Sequence, residues 1–197
     1  MAEKTLQGFR VAILATDGFE ESELAKPRAA LEEAGAECRV VAPHDGTIYG
    51  MKHHDKADMV KVDVTLDALD ANDFDGALLP GGVINADALR VEEKAKDFVE
   101  ALENAGKPIA VICHGPWLLV SADLVHQHLL TSWPSVQDDI ANAGGRWEDK
   151  EVIRDKNWVS SRKPDDIPAF NREMIRLFEE HKSSQVNRPG SRMEKIA

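Results

Sequence analysis

Apolar and polar positions along the chain alternate between strand-like runs and helical spacing. Phe9–Ala15 (FRVAILA) is a short β-rich run that ends in Thr16-Asp17-Gly18. From Glu21 to Ala34, apolar or small residues fall at Leu24, Ala25, Ala29, Leu31 and Ala34, close to helical spacing, and Gly35 stops the segment. Strand-like Cys38–Ala42 completes a β-α-β unit, which in a parallel sheet requires a right-handed crossover. Gly46–Val64 mixes glycine, charge and β-branched residues and reads as irregular hairpin structure. Phe74–Leu79 is a central strand ending in Pro80-Gly81-Gly82, and a helix from about Val91 to Ala105 is capped by Gly106.

The strand Ile109–Ile112 then turns into a helix from Pro116 to about Ala122. Val136–Ala143 reads as a helix closed by Gly144-Gly145. Val152–Arg154 and Trp158–Ser160 form a hairpin joined by Asp155-Lys156-Asn157, and Pro168 to about Lys182 is the last helix. From Ser183 onward apolar periodicity is lost. Residues 9–182 are therefore expected to form the domain, and residues 183–197 a mobile or partner-bound tail. With no internal repeat and no linker, the alternation predicts an α/β fold. It is a single-domain three-layer α/β/α sandwich with a mostly parallel central sheet and ligands at the carboxyl ends of its strands.

Composition narrows the function classes. A chain of 197 residues can bury a full core. The formal charge of -11 argues against a general nucleic-acid or anionic-membrane surface, which needs a basic patch. The first residues hold no apolar signal core and no stretch approaches bilayer-spanning length, so the cytoplasm is the expected location. Two cysteines are too few for a disulfide framework, and Cys38, within a strand-like run, reads as a small core residue.

The other thiol carries the chemistry. In Pro108-Ile109-Ala110-Val111-Ile112-Cys113-His114-Gly115-Pro116-Trp117, a buried strand leads into a Cys-His pair and Gly-Pro opens a helix. This grammar sets Cys113 on a tight strand-to-helix turn, much as the G-x-S-x-G elbow presents serine. A helix start brings unpaired N–H groups and the positive end of a dipole, which favour thiolate. Pro116 suits the first helical position, where its missing N–H is harmless. His53-His54-Asp55 suggests metal ligands at first sight, but neighbouring side chains seldom converge on one ion and no second cluster supports zinc. No metal and no cofactor are expected. Trp117, Trp133, Trp147 and Trp158 read mostly as core or interface residues.

Five segments in this order resemble the ThiJ/PfpI superfamily, within the class I glutamine amidotransferase-like, flavodoxin-like fold. They are A-T-D-G-F-E-E-S-E-L (Ala15–Leu24), F-D-G-A-L-L-P-G-G (Phe74–Gly82), A-V-I-C-H-G-P (Ala110–Pro116), L-T-S-W-P-S (Leu130–Ser135) and S-R-K-P-D-D-I-P-A-F (Ser161–Phe170). The likeness is nearest to the PfpI-type branch, stress proteins described both as intracellular peptidases and as protein deglycases. His126-Gln127-His128 departs from the family's usual Gly-basic turn before the Leu-Thr pair.

The resemblance implies roles for particular residues. Cys113 is the nucleophile, and Glu23 matches the glutamate that contacts its sulfur. Glu20 matches a second acid bordering the pocket, while Glu21 is expected to face solvent. A carboxyl held beside a thiolate in a shielded site should have a raised pKa and act as a hydrogen-bond donor. Gly81 and Gly82 let backbone N–H groups approach a substrate and, with the N–H of His114, form an oxyanion hole. The family's general base is usually drawn as the histidine matched by His114. Adjacent side chains on a sharp turn point different ways, however, so nothing in the sequence requires its imidazole to reach the neighbouring sulfur. Asp87 stands roughly where the family finds an acid supplied by a second subunit, and His54 lies in a segment near the pocket mouth.

The expected function is a cofactor-free, cysteine-dependent hydrolase acting on reactive carbonyls such as methylglyoxal or its early adducts. The alternatives are an intracellular cysteine peptidase and a redox sensor or holdase without turnover. Substrates would be a small aldehyde or a peptide or protein. The family's assemblies imply a homodimer or a dimer-built hexamer. A true glutamine amidotransferase is disfavoured, because Gly115-Pro116-Trp117 follows the Cys-His pair and the last helix holds no His-x-Glu.

Overall fold

The computed structural model describes residues 4–186. The chain runs through β1 (Arg10–Leu14), a two-residue β2 (Phe19–Glu20), α1 (Glu21–Glu33), β3 (Glu37–Ala42), the hairpin strands β4 (Thr47–Lys52) and β5 (Asp55–Lys61), and β6 (Val64–Thr65). It continues with β7 (Gly76–Leu79), α2 (Val83–Leu89), α3 (Glu93–Asn104), β8 (Ile109–Ile112), α4 (Pro116–Ser121) and β9 (Leu129–Leu130). Then come α5 (Gln137–Asn142), β10 (Arg146–Trp147), β11 (Val152–Asp155), β12 (Trp158–Ser161) and α6 (Ile167–Val186).

Seven strands form the main sheet in the order β11-β12-β8-β7-β1-β3-β6. All neighbours in it are parallel except β11, which closes one edge antiparallel to β12. The central strands β7, β8 and β12 are buried along their whole length, as a sheet covered on both faces demands. Alternate residues divide between two cores. Val11, Ile13, Leu78, Ala110 and Ile112 join Leu24, Leu31, Phe170 and Phe178 from α1 and α6 on one face. Ala12, Leu14, Ala77, Leu79, Ile109 and Val111 join Phe98, Leu102, Leu118, Leu119 and Ile140 on the other. The three-layer sandwich expected from the sequence is what forms. Among the described residues no helix is long and apolar enough to cross a membrane.

Several expectations need correction. Helix α2 begins directly after Gly82, in a stretch to which the sequence pattern assigns no element. The Gly46–Val64 stretch does form a hairpin, β4 antiparallel to β5, and its irregularity is confined to one register shift between Tyr49 and Met51. Packing starts before residue 9: Leu6 is fully buried, and Lys182 Nζ donates to the carbonyls of Thr5 and Gln7, both at 2.8 Å. Helix α6 runs through Val186, so Ser183–Val186 belong to the folded unit rather than the tail. The rest of the expected tail, 187–197, lies outside the described residues. Cys38 is only half-buried, and burial still pushes its thiol up to about 12. The turn before Leu129 forms without a glycine, because Gln127 itself adopts φ 61°.

Candidate active site

The sheet order reverses direction at β1: the chain steps from β1 outward to β3, then returns to build β7 and β8 on the other side. Open α/β sheets bind ligands at the carboxyl ends of strands flanking such a switch. Three connections meet there: the loop after β1 leading into α1, the Pro80-Gly81-Gly82 strap after β7, and the Cys113 turn after β8.

Cys113 sits at φ 63°, a left-handed backbone that a residue with a Cβ adopts only when its surroundings enforce it. The enforcement is visible. Cys113 N–H donates to Ser161 O of β12 at 3.0 Å, and Cys113 O accepts from Trp133 N–H at 2.9 Å. Gly115 is required next because a Cβ there would come within 2.6 Å of Leu79 O. Pro116 then opens α4. That helix is only six residues long, so direct N–H contacts do more for the sulfur than a helix dipole does. Burial is the largest influence on the sulfur and raises its pKa, whereas the nearby backbone N–H groups of His114 and Gly82 lower it by less. The negative charge of Glu23 raises it too when that carboxyl is ionised.

Glu23, on the first turn of α1, is completely buried. Its Oε2 accepts from Gly81 N–H at 2.9 Å, and the carboxyl interacts with the Cys113 thiol, while Oε1 has no conventional hydrogen-bond partner. Desolvation, followed by the charge of Glu20, pushes its pKa up to about 8. The hydrogen bonds from Gly81 N–H and the Cys113 thiol pull Glu23 back down by less, while an ionised Glu23 raises the thiol, so the two side chains hold at least one proton between them at neutral pH.

The His114 imidazole does reach its neighbour: Nδ1 lies 3.2 Å from Cys113 Sγ. Its Nε2 lies 3.4 Å from Ser135 Oγ, and the ring is stacked against Trp133 and tilted against Trp117. Burial lowers its pKa to about 4, so it is neutral at physiological pH. Ser135 was not anticipated, since a serine in Leu-Thr-Ser-Trp-Pro-Ser looks like any turn residue. Trp133, expected in core or interface, is 39% exposed and lines the cavity.

That cavity has a volume of about 930 Å³ and contains Glu20, Glu23, His53, His54, Gly82, Cys113 and His114. Met51, Val83, Ile84 and Trp133 give it apolar walls, and Lys163 and Asp165 stand at its edge. Glu20 is half-buried and accepts from the His53 N–H at 3.2 Å, which ties the β4–β5 hairpin to the site. Glu21 is half-buried and does not line the cavity.

One sequence-derived assignment changes. The Gly81 N–H is spent on Glu23, leaving Gly82 and His114 as the pair of donors near the sulfur. Asp87 is exposed on α2 and does not line the cavity of its own chain. Among the described residues no group of three or more His, Cys, Asp or Glu side chains could hold a metal ion.

A mostly parallel sheet that presents one cysteine on a strained strand-to-helix turn, beside a buried protonated carboxyl, defines an α/β protein built around a thiol elbow. The chain belongs to the DJ-1/PfpI family, which matches residues 9–177. Over 169 residues it is 40% identical to Deglycase PH1704 of Pyrococcus horikoshii, covering 86% of this chain and 99% of that protein. It is 39% identical over 169 residues to YraA of Bacillus subtilis, whose name proposes a cysteine protease, covering 86% and 98%. Drosophila melanogaster DJ-1beta superimposes with a TM-score of 0.75 at 24% identity, covering 90% of this chain and 97% of that one, which speaks to the fold.

Proposed function

We propose that the protein is a cytoplasmic, cysteine-dependent hydrolase of reactive carbonyls, converting methylglyoxal or its early adducts to lactate without a cofactor. The observation that carries this reading is the fully buried Glu23 carboxyl set beside the Cys113 thiol, with His114 Nδ1 3.2 Å from the sulfur. The relatives' name of deglycase supports the same direction.

In this scheme the ionised fraction of Glu23 takes the Cys113 proton, and the thiolate attacks the aldehyde carbon. The new alkoxide is held by the N–H groups of Gly82 and His114, and Glu23 returns the proton to give a hemithioacetal. His114 takes the proton from the former aldehyde carbon and delivers it to the neighbouring carbonyl carbon through an enediol, which leaves a lactoyl thioester. Water then adds to the thioester, and the thiolate departs as lactate is released. Methylglyoxal and water are the only reactants consumed. The cavity of about 930 Å³ far exceeds a three-carbon aldehyde, which gives room for an adduct carried on a larger molecule.

The test is to incubate purified protein with methylglyoxal, without glutathione, beside a fluorogenic peptide, with Cys113→Ser as control. Lactate formed only by the unsubstituted protein is the expected result. Peptide cleavage without lactate would replace this reading with the peptidase named for the Bacillus relative. Silence toward both would leave a thiol that is oxidised but does not turn over.

A further inference from the structure

Asn85 belongs to no segment of the site identified from sequence, yet it is fully buried on the first turn of α2. Its side chain makes three hydrogen bonds. Oδ1 accepts from Thr16 N–H at 2.7 Å, while Nδ2 donates to Pro80 O at 3.1 Å and Gly81 O at 3.0 Å. Only one amide orientation satisfies this set, because an N–H faces one end and two carbonyls face the other. The Gly81 carbonyl is gripped a second time by Glu20 N–H at 3.2 Å.

The consequence follows from peptide geometry. The described residues contain no cis peptide bond, so each carbonyl points opposite to the N–H of the residue after it. Pro80 O and Gly81 N–H share one peptide plane, and Gly81 O and Gly82 N–H share the next. With both carbonyls held toward Asn85, both N–H groups are turned the other way. The first donates to Glu23 Oε2 at 2.9 Å, and the second is turned to the side of the strap where Cys113 lies, a Cβ on Gly81 falling 2.6 Å from Cys113 Cβ, and it lowers the thiol's pKa. Gly82 stands at φ 92°, and a Cβ there would come within 2.7 Å of Glu20 N, so this close-packed strap relies on its glycine.

We propose that Asn85 is a positioning residue: its single amide group locks two successive peptides so that their N–H groups serve Glu23 and Cys113. Glycine-rich backbone flips readily when its carbonyls are unanchored, and a flipped Gly81–Gly82 peptide would present an oxygen to the thiolate. Asn85→Asp keeps the acceptor for Thr16 and the shape, but turns a carboxylate oxygen toward the two carbonyls. Asn85→Ser removes the grip with a smaller side chain and serves as the second variant.

The test reads Cys113 alkylation by iodoacetamide against pH, resolved by peptide mass spectrometry so that Cys38 is counted separately, on variants whose fold is verified by circular dichroism. Losing the Gly82 N–H raises the thiol, and losing the Gly81 N–H raises Glu23. The midpoint is therefore expected to move up by about half a unit or more. The turnover arm rests on the proposed carbonyl chemistry: kcat is expected to fall about 100-fold, the scale of losing one oxyanion donor, with KM changed less than about twofold. Ile140→Val, a buried trim in the other core, should lower stability without moving the midpoint. An unmoved midpoint in both Asn85 variants overturns the proposal, as does loss of the folded state in both, which would assign Asn85 to stability alone. A shifted midpoint in a protein that makes no lactate would uphold the role of Asn85 while rejecting the carbonyl reaction.

Discussion

Glu23 shows how one residue couples chemistry to stability. Its pKa rises from the ordinary 4.5 to about 8, chiefly through burial. Between those values the folded protein binds a proton that the unfolded chain has released, so stability falls as pH rises through this window and levels off above about 8. Glu23→Gln mimics the protonated form and has no proton to lose. It should match the unsubstituted protein near pH 4.5 and exceed it by on the order of a few kcal/mol at pH 8, while turnover drops about 100-fold or more. Denaturant unfolding of both proteins at several pH values reads the difference, and parallel curves would show that Glu23 ionises in the folded state as it does in water. Cys113 was legible in the sequence, because a strand runs straight into Cys-His and Gly-Pro opens a helix behind it, whereas Glu23 was reached only through the family resemblance. Asn85 and Ser135 were not legible, since Asn and Ser are ordinary loop residues and their importance lies in which carbonyls and ring atoms they reach.

The elbow is a property of elements rather than of one side chain. β8 runs between β7 and β12, and α4 leaves its end so closely that Gly115 lies against the carbonyls of Leu79 and Ile112. Gly115 has ordinary helical backbone angles, so its glycine is required by contact and not by conformation. A Cβ would lie 2.6 Å from Leu79 O and 3.0 Å from Ile112 O, atoms of the central sheet that cannot move aside. Gly115→Ala should therefore push α4 outward, lowering stability by about 1–3 kcal/mol and slowing Cys113 alkylation with it. Chemical unfolding and the alkylation rate are measured together; a variant unchanged in both would mean that the turn has slack the geometry denies. β7 and β8 were readable because each is a short apolar run followed within a few residues by glycine, and β12 because Asp155-Lys156-Asn157 marks its turn. α2 was not, because Val83–Leu89 spans about two turns and follows a glycine pair that also fits a plain turn. The β4–β5 hairpin was blurred for another reason: much of β5 is exposed, so its alternation lacks an apolar face.

At the scale of the whole molecule, Asp87 raises the question of assembly. Within one chain it is exposed on α2, outside the cavity, so a part in the reaction requires a second copy. The same helix carries Val83 and Ile84, each 52% exposed at the cavity mouth, and Val91 just beyond it is 70% exposed. A two-fold pairing through this face would cover those side chains and place α2 of each copy beside the cavity of the other, since a two-fold contact is reciprocal. Complementation distinguishes this arrangement from an Asp87 that does nothing. Cys113→Ser and Asp87→Ala should each be poorly active alone. Mixed in equal amounts under conditions of subunit exchange, half the dimers are hybrids, and each hybrid holds one site with an intact Cys113 facing an intact Asp87. Activity should then recover to about a quarter of the unsubstituted level, and sedimentation should show a dimer whose dissociation on dilution removes the recovered activity. An Asp87→Ala protein with full activity in isolation would exclude Asp87 from the reaction. The site would then be complete within one chain, with Glu23, His114 and the strap held by Asn85 as its working parts.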